Sequence, residues 1–457
     1  MSSPQTENAY LPVSNYTKPY WRSELHHLDS HRSTPELPET CDILIIGAGM
    51  SGVSLAYHIG QQTIQNEKPS IVLLEARQIC SGATGRNGGH VKIQTGPLLE
   101  SGRNPSITEK MTALVQAHID ALHDVVQAEK LDCEFELRRS YDTFTDEADA
   151  ARYRKAWEEH AAKGEGWMRG RQMLQGELAA AVTGVKGVKL AFSSPACSLW
   201  PYKFVTQLLE RAMSRNANLN VQTETPVLSV ENDADGESLV HTARGTIRAK
   251  KVVFATNGYT IGLLPQYKGT ITPYKGTCAH LAPPAGRDPV FPHLSHTYNL
   301  DWRSKIEYEG SAETVDYFNP RPDGGIVVGG ANWLYAERRE LWWNNVDDST
   351  LFDAVMDAKY FEGYMQRNFR GWEDSGTVVN KVWTGIQAET PDSLPHAGEV
   401  PNRRNQWIMA GYNGGGMPII FLLAKGMAQM VQNGVVFENL DPVIPRAFKT
   451  TKSRMSN

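Results

Sequence analysis

The fold is decided by the stretch DILIIGAGMSG, residues 42–52, which is followed by a helical pattern and by the apolar segment SIVLLEA, residues 70–76. A strand, a glycine-rich turn, a helix and a second strand with an acidic end form the dinucleotide-binding βαβ fingerprint. A GxGxxG run alone is weak evidence, but its place between a strand and a helix makes it specific. The chain is therefore predicted to bind FAD or NAD.

Each glycine of this turn has its own task. Gly47 lets the chain leave the strand tightly, Gly49 lets the backbone approach a pyrophosphate, and Gly52 lets the helix pack close to the sheet. The helix N-terminus offers free N–H groups and a positive dipole end to the phosphates. Glu75 follows Gly52 by 23 positions, near the spacing of a carboxylate that accepts the ribose hydroxyls.

Composition narrows the class of protein. A chain of 457 residues with 40% hydrophobic and 21% charged residues is typical of a globular protein with two or more domains. The net charge of -5 gives no electrostatic case for nucleic acid binding. No apolar run approaches the length of a membrane span, and residues 419–424, the longest, are predicted to belong to a buried helix.

The cysteines are scattered and form no CxxC pair, which argues against both a disulfide framework and a zinc site. They are Cys41, Cys80, Cys133, Cys197 and Cys278. Residues 1–40 are polar and lack the apolar core of a secretory signal. We therefore expect a reducing, cytoplasmic location, no metal site and no membrane association.

A second glycine cluster lies near the C-terminal end. The strand 407–410 leads into GYNGGGMP, residues 411–418, and then into a helix over 419–431. A helix that opens from such a loop can stabilise negative charge at its N-terminus. In a flavoenzyme that charge develops at N1 and the C2 carbonyl of the reduced ring. Paired with the first motif, this cluster favours FAD.

The motifs occur in an order that resembles a known family. They are residues 47–52, Glu75, residues 82–90, 255–258, 317–324, 390–392 and 411–418. This set is similar to the D-amino-acid oxidase-like FAD-dependent oxidoreductases, which include glycine, sarcosine and gamma-glutamylputrescine oxidases. The ATGRNGGH loop, residues 83–90, looks closest to the gamma-glutamylputrescine oxidase branch and its fungal relatives. The resemblance spans roughly residues 38–432 and is specific for the family, not for a substrate.

The resemblance implies an α/β fold in which a Rossmann-like FAD-binding domain holds an inserted antiparallel-sheet substrate domain. Helical patterns over 107–130 and 146–182 and short strands within 263–370 agree with such an insertion. The implied division is an N-terminal arm (1–37), an FAD-binding domain (38–100, 186–262 and 375–445) and a helical insert with the substrate or cap domain (101–185 and 263–374).

The resemblance also assigns the cofactor-binding residues. Residues 82–91 would wrap the pyrophosphate and run beneath the isoalloxazine ring, Val227 would pair with the adenine, residues 255–258 would close the adenosine side, and residues 414–418 would face the pyrimidine end. The expected set is Gly47, Gly49, Met50, Ser51, Gly52, Glu75, Ala76, Arg77, Gly82, Ala83, Thr84, Arg86, Asn87, Gly88, Gly89, His90, Val91, Val227, Ala255, Thr256, Asn257, Gly258, Trp383, Gly385, Gly414, Gly415, Gly416, Met417 and Pro418.

Two departures from the family pattern bear on the chemistry. Amino-acid oxidases of this family often carry an arginine shortly before the Thr-Pro-Asp element, where it holds a substrate carboxylate; here Gln387 stands at that place. Sarcosine oxidases carry a flavin-linking cysteine five residues before the threonine, and here the residue is Gly385. FAD is therefore expected to be bound non-covalently, with His90 the remaining candidate for a link.

The candidate catalytic residues come from the loop and the inserted sheet. Tyr317 and Arg321 are predicted pocket residues on one face of a strand, because both are odd-numbered. His90, Lys92 and Lys275 are candidates for assisting oxygen reduction. The tryptophans Trp333, Trp342 and Trp343 are candidates for an aromatic wall around a cationic amine.

The resulting hypothesis is an oxidase of an amine C–N bond. A neutral amine passes a hydride to flavin N5, the imine leaves and hydrolyses, and molecular oxygen reoxidises FAD to give hydrogen peroxide. No strong general base is required if the amine arrives unprotonated. Alternatives are an amino-acid oxidase of the sarcosine or D-amino-acid type, a flavin dehydrogenase with another electron acceptor, an NAD enzyme that uses only the first motif, and a flavin-binding protein without catalysis. The oligomeric state is not readable from the sequence.

Overall fold

The computed structural model describes residues 10–61, 68–100, 105–233, 236–303 and 314–455. The strands in these ranges are β1 (Thr40–Ile46), β2 (Ile71–Leu74), β3 (His90–Val91), β4 (Glu136–Phe144), β5 (Gln172–Gln175), β6 (Leu190–Ser198), β7 (Leu219–Gln222), β8 (Val227–Asn232), β9 (Ser238–Thr242), β10 (Gly245–Phe254), β11 (Thr272–Ala282), β12 (Thr297–Asp301), β13 (Val315–Pro320), β14 (Ile326–Gly329), β15 (Val378–Glu389), β16 (His396–Glu399) and β17 (Gln406–Ala410). The α-helices are α1 (Met50–Gln61), α2 (Gly96–Leu99), α3 (Pro105–Glu129), α4 (Glu147–Ala162), α5 (Gly176–Thr183), α6 (Pro201–Arg215), α7 (Asp353–Asp357), α8 (Tyr364–Asn368) and α9 (Ile420–Asn433).

The first sheet is the doubly covered sheet that the sequence motif predicts. Its strand order is β16-β17-β10-β1-β2-β7, with β9 paired to β10 and β8 to β9. Strand β1 runs parallel to both β10 and β2, with Ile46 opposite Phe254 and Leu74. The carboxyl ends of three parallel strands therefore meet at the turn that follows Ile46, which is where an open α/β sheet binds its ligand.

Both faces of this sheet are buried, and successive residues of β1 enter different cores. Ile43 and Ile45 pack with helices α1, α6 and α9 in one core, whereas Leu44 and Ile46 enter the core on the opposite face. A strand that is covered on both sides reads as a continuous apolar run. This explains why residues 43–46 contain no polar residue.

The second sheet is predominantly antiparallel. Its order is β15-β11-β14-β13-β12-β4-β6-β3, with β5 paired to β6. The pair β12–β4 is parallel, so the sheet is mixed rather than purely antiparallel. Strand β15 pairs with β11 from Thr272 opposite Glu389 to Ala282 opposite Val378, which makes this ladder the longest in the sheet.

The strands of this second sheet come from more than one of the predicted domain ranges. Strands β4 and β5 lie in residues 101–185, the range assigned to the helical insert, and β3, β6 and β15 lie in ranges assigned to the FAD-binding domain. The domain division itself stays a prediction.

The predicted helix over 146–182 is interrupted and folds as α4, β5 and α5. Gly164 and Gly170, which lie between α4 and β5, adopt φ values of +66° and +77°. The predicted helix over 107–130 is confirmed as α3.

The described part of the N-terminal arm, from residue 10, is bound to the body of the protein. Trp21 is fully buried, and its indole N–H donates to the carbonyl of Asn87 at 2.6 Å. The indole N–H of Trp200 in turn donates to the carbonyl of Trp21 at 2.6 Å. Residues 1–9 lie outside the described residues. In the described part of the chain no helix is long and apolar enough to cross a bilayer.

Two buried histidines, on α1 and α3, form hydrogen bonds to the backbone of α9, the helix that follows the C-terminal glycine loop. His58 on α1 contacts the carbonyl of Phe421 through Nε2 at 3.0 Å, and His118 on α3 accepts a 3.5 Å hydrogen bond from the backbone of Leu422. Burial lowers the pKa of His58 to about 3 and the pKa of His118 to about 3. Both are therefore neutral in the folded protein at neutral pH.

We predict that the protein loses stability as the pH falls below about 6.5, the ordinary histidine pKa. The unfolded state binds protons that the folded state excludes, so each buried histidine costs up to about 1.4 kcal/mol per pH unit between pH 6.5 and 3. The melting temperature of His118→Asn, followed between pH 7.5 and 5, should fall less steeply than that of the wild type. His123→Asn, on the same helix but partly exposed, is the control. Equal slopes for wild type and His118→Asn would contradict this account.

Candidate active site

The glycine turn after β1 has the geometry that a phosphate cradle requires. Gly47 has a φ of +105°, and a Cβ on it would lie 2.7 Å from the carbonyl oxygen of Ala255. A Cβ on Gly52 would lie 1.9 Å from the carbonyl oxygen of Gly47. Neither position accepts a side chain, so the turn can pass closely between the end of β10 and the start of α1.

Glu75 follows β2 and is held in place by backbone donors. Its carboxylate accepts from the N–H of Ala48 at 2.8 Å and from the N–H of Arg77 at 3.0 Å. It lines the first cavity together with the turn. A carboxylate at this position has the chemistry to accept ribose hydroxyls, as the motif predicts.

The first cavity gathers most of the predicted cofactor residues. It is lined by Gly47, Gly49, Met50, Ser51, Glu75, Ala76, Arg77, Gly82, Ala83, Thr84, Asn87, Val227, Ala255, Thr256, Asn257, Gly258, Gly414, Gly416 and Met417. A glycine cradle, a helix N-terminus and a fixed carboxylate at one cleft fit an adenine dinucleotide. The side chains present therefore agree with FAD as the cofactor.

The second cavity is larger and adjoins the first. Its volume is about 1100 Å³, and it shares Ala83, Asn87, Gln387, Gly414 and Met417 with the first cavity. The predicted residues that line it in addition are Arg86, Gly88, His90, Lys92, Lys275, Tyr317, Trp342, Gly385, Gly415 and Pro418. The shared wall lies between the two predicted glycine loops, where the resemblance expects the flavin ring.

Several predicted residues lie behind the lining of these cavities rather than in it. They are Gly52, Gly89, Val91, Trp383 and Arg321. Gly89 packs against the ring of Trp21, which a Cβ would approach to 2.6 Å. The indole N–H of Trp383 donates to the carbonyl of Arg86 at 2.9 Å. These residues support the loop that lines both cavities.

Arg321 follows the end of β13, so strand alternation does not carry it to the face of Tyr317. Its guanidinium pairs with Glu134 and lies 5.1 Å from the ring centroid of Trp21. Trp333 packs in the outer core of the second sheet, and the guanidinium of Arg339 covers the ring of Trp343 at 4.5 Å. Of the three candidate tryptophans, Trp342 lines the second cavity.

Among the described residues that line the second cavity, one is an arginine, Arg86. Its guanidinium is hydrogen-bonded to other parts of the protein. Its Nε donates to the carbonyl of Ser81 at 2.7 Å and lies 3.3 Å from Asp348. Its two Nη groups donate to Thr17 and to the carbonyl of Thr384. Arg86 therefore fixes the glycine loop and uses four of its five N–H donors on protein acceptors.

Tyr317 lines the second cavity against the glycine loop. Its hydroxyl lies 2.7 Å from the Sγ of Cys278, and a Cβ on Gly88 would meet its ring at 2.8 Å. Burial raises the pKa of Tyr317 well above its usual range and the pKa of Cys278 to about 12. Both groups stay protonated at neutral pH, so they offer a polar wall and not a base.

Three nitrogen groups reach the second cavity. Burial and the nearby Lys92 hold the pKa of His90 well below its usual range, and burial lowers the pKa of Lys92 to about 7. Burial also lowers the pKa of Lys275, although three aspartates oppose that shift. The Nζ of Lys275 donates to the hydroxyl of Thr350 at 2.8 Å and lies 4.9 Å from the ring centroid of Phe352.

Gln387 lines both cavities at the position where the amino-acid oxidases were expected to have arginine. Its Oε1 accepts from the hydroxyl of Tyr274 at 3.2 Å. A Cβ on Gly414 would lie 3.1 Å from that hydroxyl and 3.2 Å from Oε1. Gln387 therefore lies beside the C-terminal glycine loop.

Several lining residues were missed by the sequence analysis. The arm contributes Tyr10, Leu11 and Pro12 to the first cavity, and β12 and the 335–337 segment contribute Asn299, Tyr335 and Glu337 to the second. The arm lies far from the motifs along the chain, and no local pattern marks its contact. Glu389 could have been found, because it alternates with Gly385 and Gln387 on one strand.

We predict that Glu75→Ala weakens FAD binding by about 10- to 100-fold, because it removes a charged acceptor worth about 1.5–3 kcal/mol. The dissociation constant can be measured by the change of flavin fluorescence on titrating apoprotein. The exposed Glu231, on β8 and outside the first cavity, gives the control Glu231→Ala. An unchanged constant for Glu75→Ala would show that the carboxylate does not hold the cofactor.

The comparisons with known proteins agree with this geometry. The family model of the FAD dependent oxidoreductases (DAO) matches residues 42–430. The gamma-glutamylputrescine oxidoreductase of Escherichia coli (strain K12) is 20% identical over 411 residues, which cover 86% of this chain and 84% of that protein.

Solved structures show the same fold at low identity. Glycine oxidase from Geobacillus kaustophilus has a TM-score of 0.69 at 19% identity, over 91% of this chain and 99% of that chain. L-proline dehydrogenase from P. horikoshii has a TM-score of 0.67 at 17% identity, over 90% of this chain and 97% of that chain.

The family model covers well over half of the sequence. The chain therefore belongs to the FAD dependent oxidoreductase (DAO) family and is an oxidoreductase with FAD as its cofactor.

Proposed function

We propose that this protein is an FAD-dependent oxidase of a C–N bond in a small primary or secondary amine. When bound, FAD supplies the hydride acceptor at N5, and molecular oxygen takes up the electrons to give hydrogen peroxide. The product imine leaves the site and hydrolyses to an aldehyde and the remaining amine or ammonia. The alternative, oxidation of an amino acid, differs in that the substrate carries a carboxylate beside the nitrogen.

The observation that carries this proposal is the absence of an available guanidinium. Among the described residues that line the second cavity, Arg86 is the one arginine, and it is engaged with Ser81, Thr17, Thr384 and Asp348. A carboxylate is bound most specifically by a bidentate arginine. Gln387 has no charge to offer in its place. This favours a substrate without a carboxylate beside the reacting nitrogen.

The solvent side of the second cavity favours a cation. Glu337 and Glu389 line it and are exposed. The aromatic rings of Tyr274, Tyr335 and Trp342 line the same space. Carboxylates attract an ammonium ion, and aromatic faces bind it at close range. These side chains would bring a charged amine into the cavity.

Lys275, which also lines the second cavity, has a separate task in this proposal. Burial lowers the pKa of Lys275, and the charges of Asp347, Asp348 and Asp353 oppose that shift. A fixed cation stabilises negative charge as oxygen is reduced. We assign this task to Lys275.

The proposal also includes non-covalent binding of FAD, because Gly385 has no side chain that could link it. A reducing, cytoplasmic location is part of the proposal, since all five cysteines are buried free thiols.

The proposal predicts that amines bleach the flavin of the purified protein under anaerobic conditions. Putrescine, gamma-glutamylputrescine, N-methyl amino acids and D-amino acids are titrated in parallel, and the band near about 450 nm, typical of oxidised flavin, is followed. Bleaching by amines and not by amino acids is the expected result. Peroxide formed on admitting air separates an oxidase from a dehydrogenase. Bleaching by amino acids alone would overturn the assignment of Gln387.

Gln387→Arg should shift the preference toward amino acids. An arginine placed beside Gly414 supplies a charge-assisted bidentate donor worth about 1.5–3 kcal/mol. The ratio of kcat/KM for amino acid over amine should rise by about 10- to 100-fold. Gln172→Arg, at an exposed position on β5, is the control for added charge. A ratio that does not move in Gln387→Arg would mean that Gln387 does not face the substrate.

A further inference from the structure

The second cavity contains two lysines whose surroundings differ. Lys92 follows β3, where Val91 points into the buried core and the residues on either side, His90 and Lys92, line the cavity. Lys275 enters from β11 on another wall. Groups of one chemical type whose environments separate their charge states often divide the roles of acid and base.

Lys92 is held without a counter-ion. Its Nζ donates to the carbonyl of Tyr298 on β12 at 2.7 Å, and no carboxylate oxygen in the described residues lies within 4 Å of it. A buried ammonium with a single neutral partner is costly, so the neutral amine is favoured. Burial accordingly lowers the pKa of Lys92 to about 7.

The nearest carboxylate is already occupied. Asp142 on β4 accepts from the backbone N–H of Thr95 and from the amide of Asn299 at 2.6 Å. Arg171 bonds the hydroxyl of Thr95 at 2.9 Å and adds positive charge to this side of the cluster. The charge of Asp142 favours a charged Lys92. Its carboxylate oxygens are hydrogen-bonded to Thr95 and Asn299, however, and form no ion pair with Nζ of Lys92. The other titratable neighbour, His90, is neutral.

We propose that Lys92 is the catalytic base that removes the proton from the substrate ammonium in the second cavity. The proposal rests on the function proposed above. An N–H bond of the ammonium breaks and its electron pair stays on the substrate nitrogen, while a new N–H bond forms at Nζ of Lys92. The neutral amine then has the lone pair that C–N oxidation requires, and the proton on Lys92 is later released to solvent.

The other titratable groups of the cavity fit this task less well. Tyr317 and Cys278 are protonated at neutral pH, so they cannot accept a proton. The pKa of His90 is too low for it to hold one. Lys275 donates to the hydroxyl of Thr350, and three aspartates oppose the lowering of its pKa by burial. Glu389 lies at the exposed side of the cavity, where burial raises its pKa although Arg339 opposes that shift.

The kinetic test uses Lys92→Met in the FAD-loaded protein. The second-order rate of anaerobic flavin reduction by an amine is measured by stopped flow from pH 6 to 10. For the wild type this rate should fall below about pH 7. Lys92→Met should be slower by about 100-fold or more at pH 7 and should approach the wild type near pH 10, where alkylammonium ions lose their proton in solution. Lys189→Met, a half-exposed surface lysine, is the control.

The second readout does not depend on turnover. Trace acetic anhydride acetylates lysines only as free amines, and peptide mass spectrometry of the holoprotein gives the extent at each site as a function of pH. Modification of Lys92 should reach its half-maximum near pH 7. A half-maximum for Lys92 above pH 9 would overturn the proposal.

The outcomes separate the two proposals. If amines reduce the wild-type flavin and Lys92→Met has the same pH profile, Lys92 is not the base, and the amine-oxidase function stands. If no amine reduces the wild-type flavin, the proposed function fails and the role of Lys92 fails with it. Displacement of the acidic limb from about pH 7 to about pH 10 in Lys92→Met alone, with Lys189→Met unchanged, supports both.

Discussion

The architecture of the site depends on one buried ion cluster around Asp348. This carboxylate is fully buried and lies 3.0 Å from Nη1 of Arg77 and 3.3 Å from Nε of Arg86. The ring of Tyr16 covers both guanidinium groups at 4.5 and 4.8 Å. Because a buried charge is stable only when it is paired and hydrogen-bonded, these residues lock together the arm, the glycine loop and the segment that carries Asp348. The loop between the two cavities is thus shaped by protein groups before any cofactor binds.

This fixed loop explains how one family fold can be specialised. The first cavity contains the glycine turn, the start of α1 and the carboxylate of Glu75, which suits FAD as the cofactor. The second cavity is lined by side chains of the second sheet, among them Gln387, Lys275 and Lys92. Because Arg86 is hydrogen-bonded within the protein, we propose that the carboxylates at the exposed side of the second cavity attract the charge of the substrate. We infer that substrate choice is made on this sheet and not at the nucleotide fingerprint.

The parts of the fold that the sequence could predict were those that depend on neighbouring residues. Strand β1, the turn, α1 and β2 follow from local apolar runs and glycine placement, and the family motifs located most of the first cavity. The long pairing of β15 with β11 and the place of β4 in the second sheet depend on residues at least 96 positions apart, as in the pair Ala282 and Val378, and local patterns do not contain that information. Arg321 was expected beside Tyr317 by alternation, but β13 ends at Pro320, and the side chain pairs with Glu134. Asp348 carried no signal at all, because its partners are Arg77 and Arg86 in a distant loop.

The central claim is that FAD spans both cavities, with its reactive ring at their shared wall. The most direct test is a crystal structure of the protein with FAD bound. The account predicts the adenosine between Glu75 and Val227, the pyrophosphate at the Gly47–Met50 turn, and the ring beside Gln387 and Gly414, facing the second cavity that holds Lys92 and Lys275. A ring that lies outside this wall, or one whose reactive edge faces away from the second cavity, would contradict the account and separate the lysines from the chemistry.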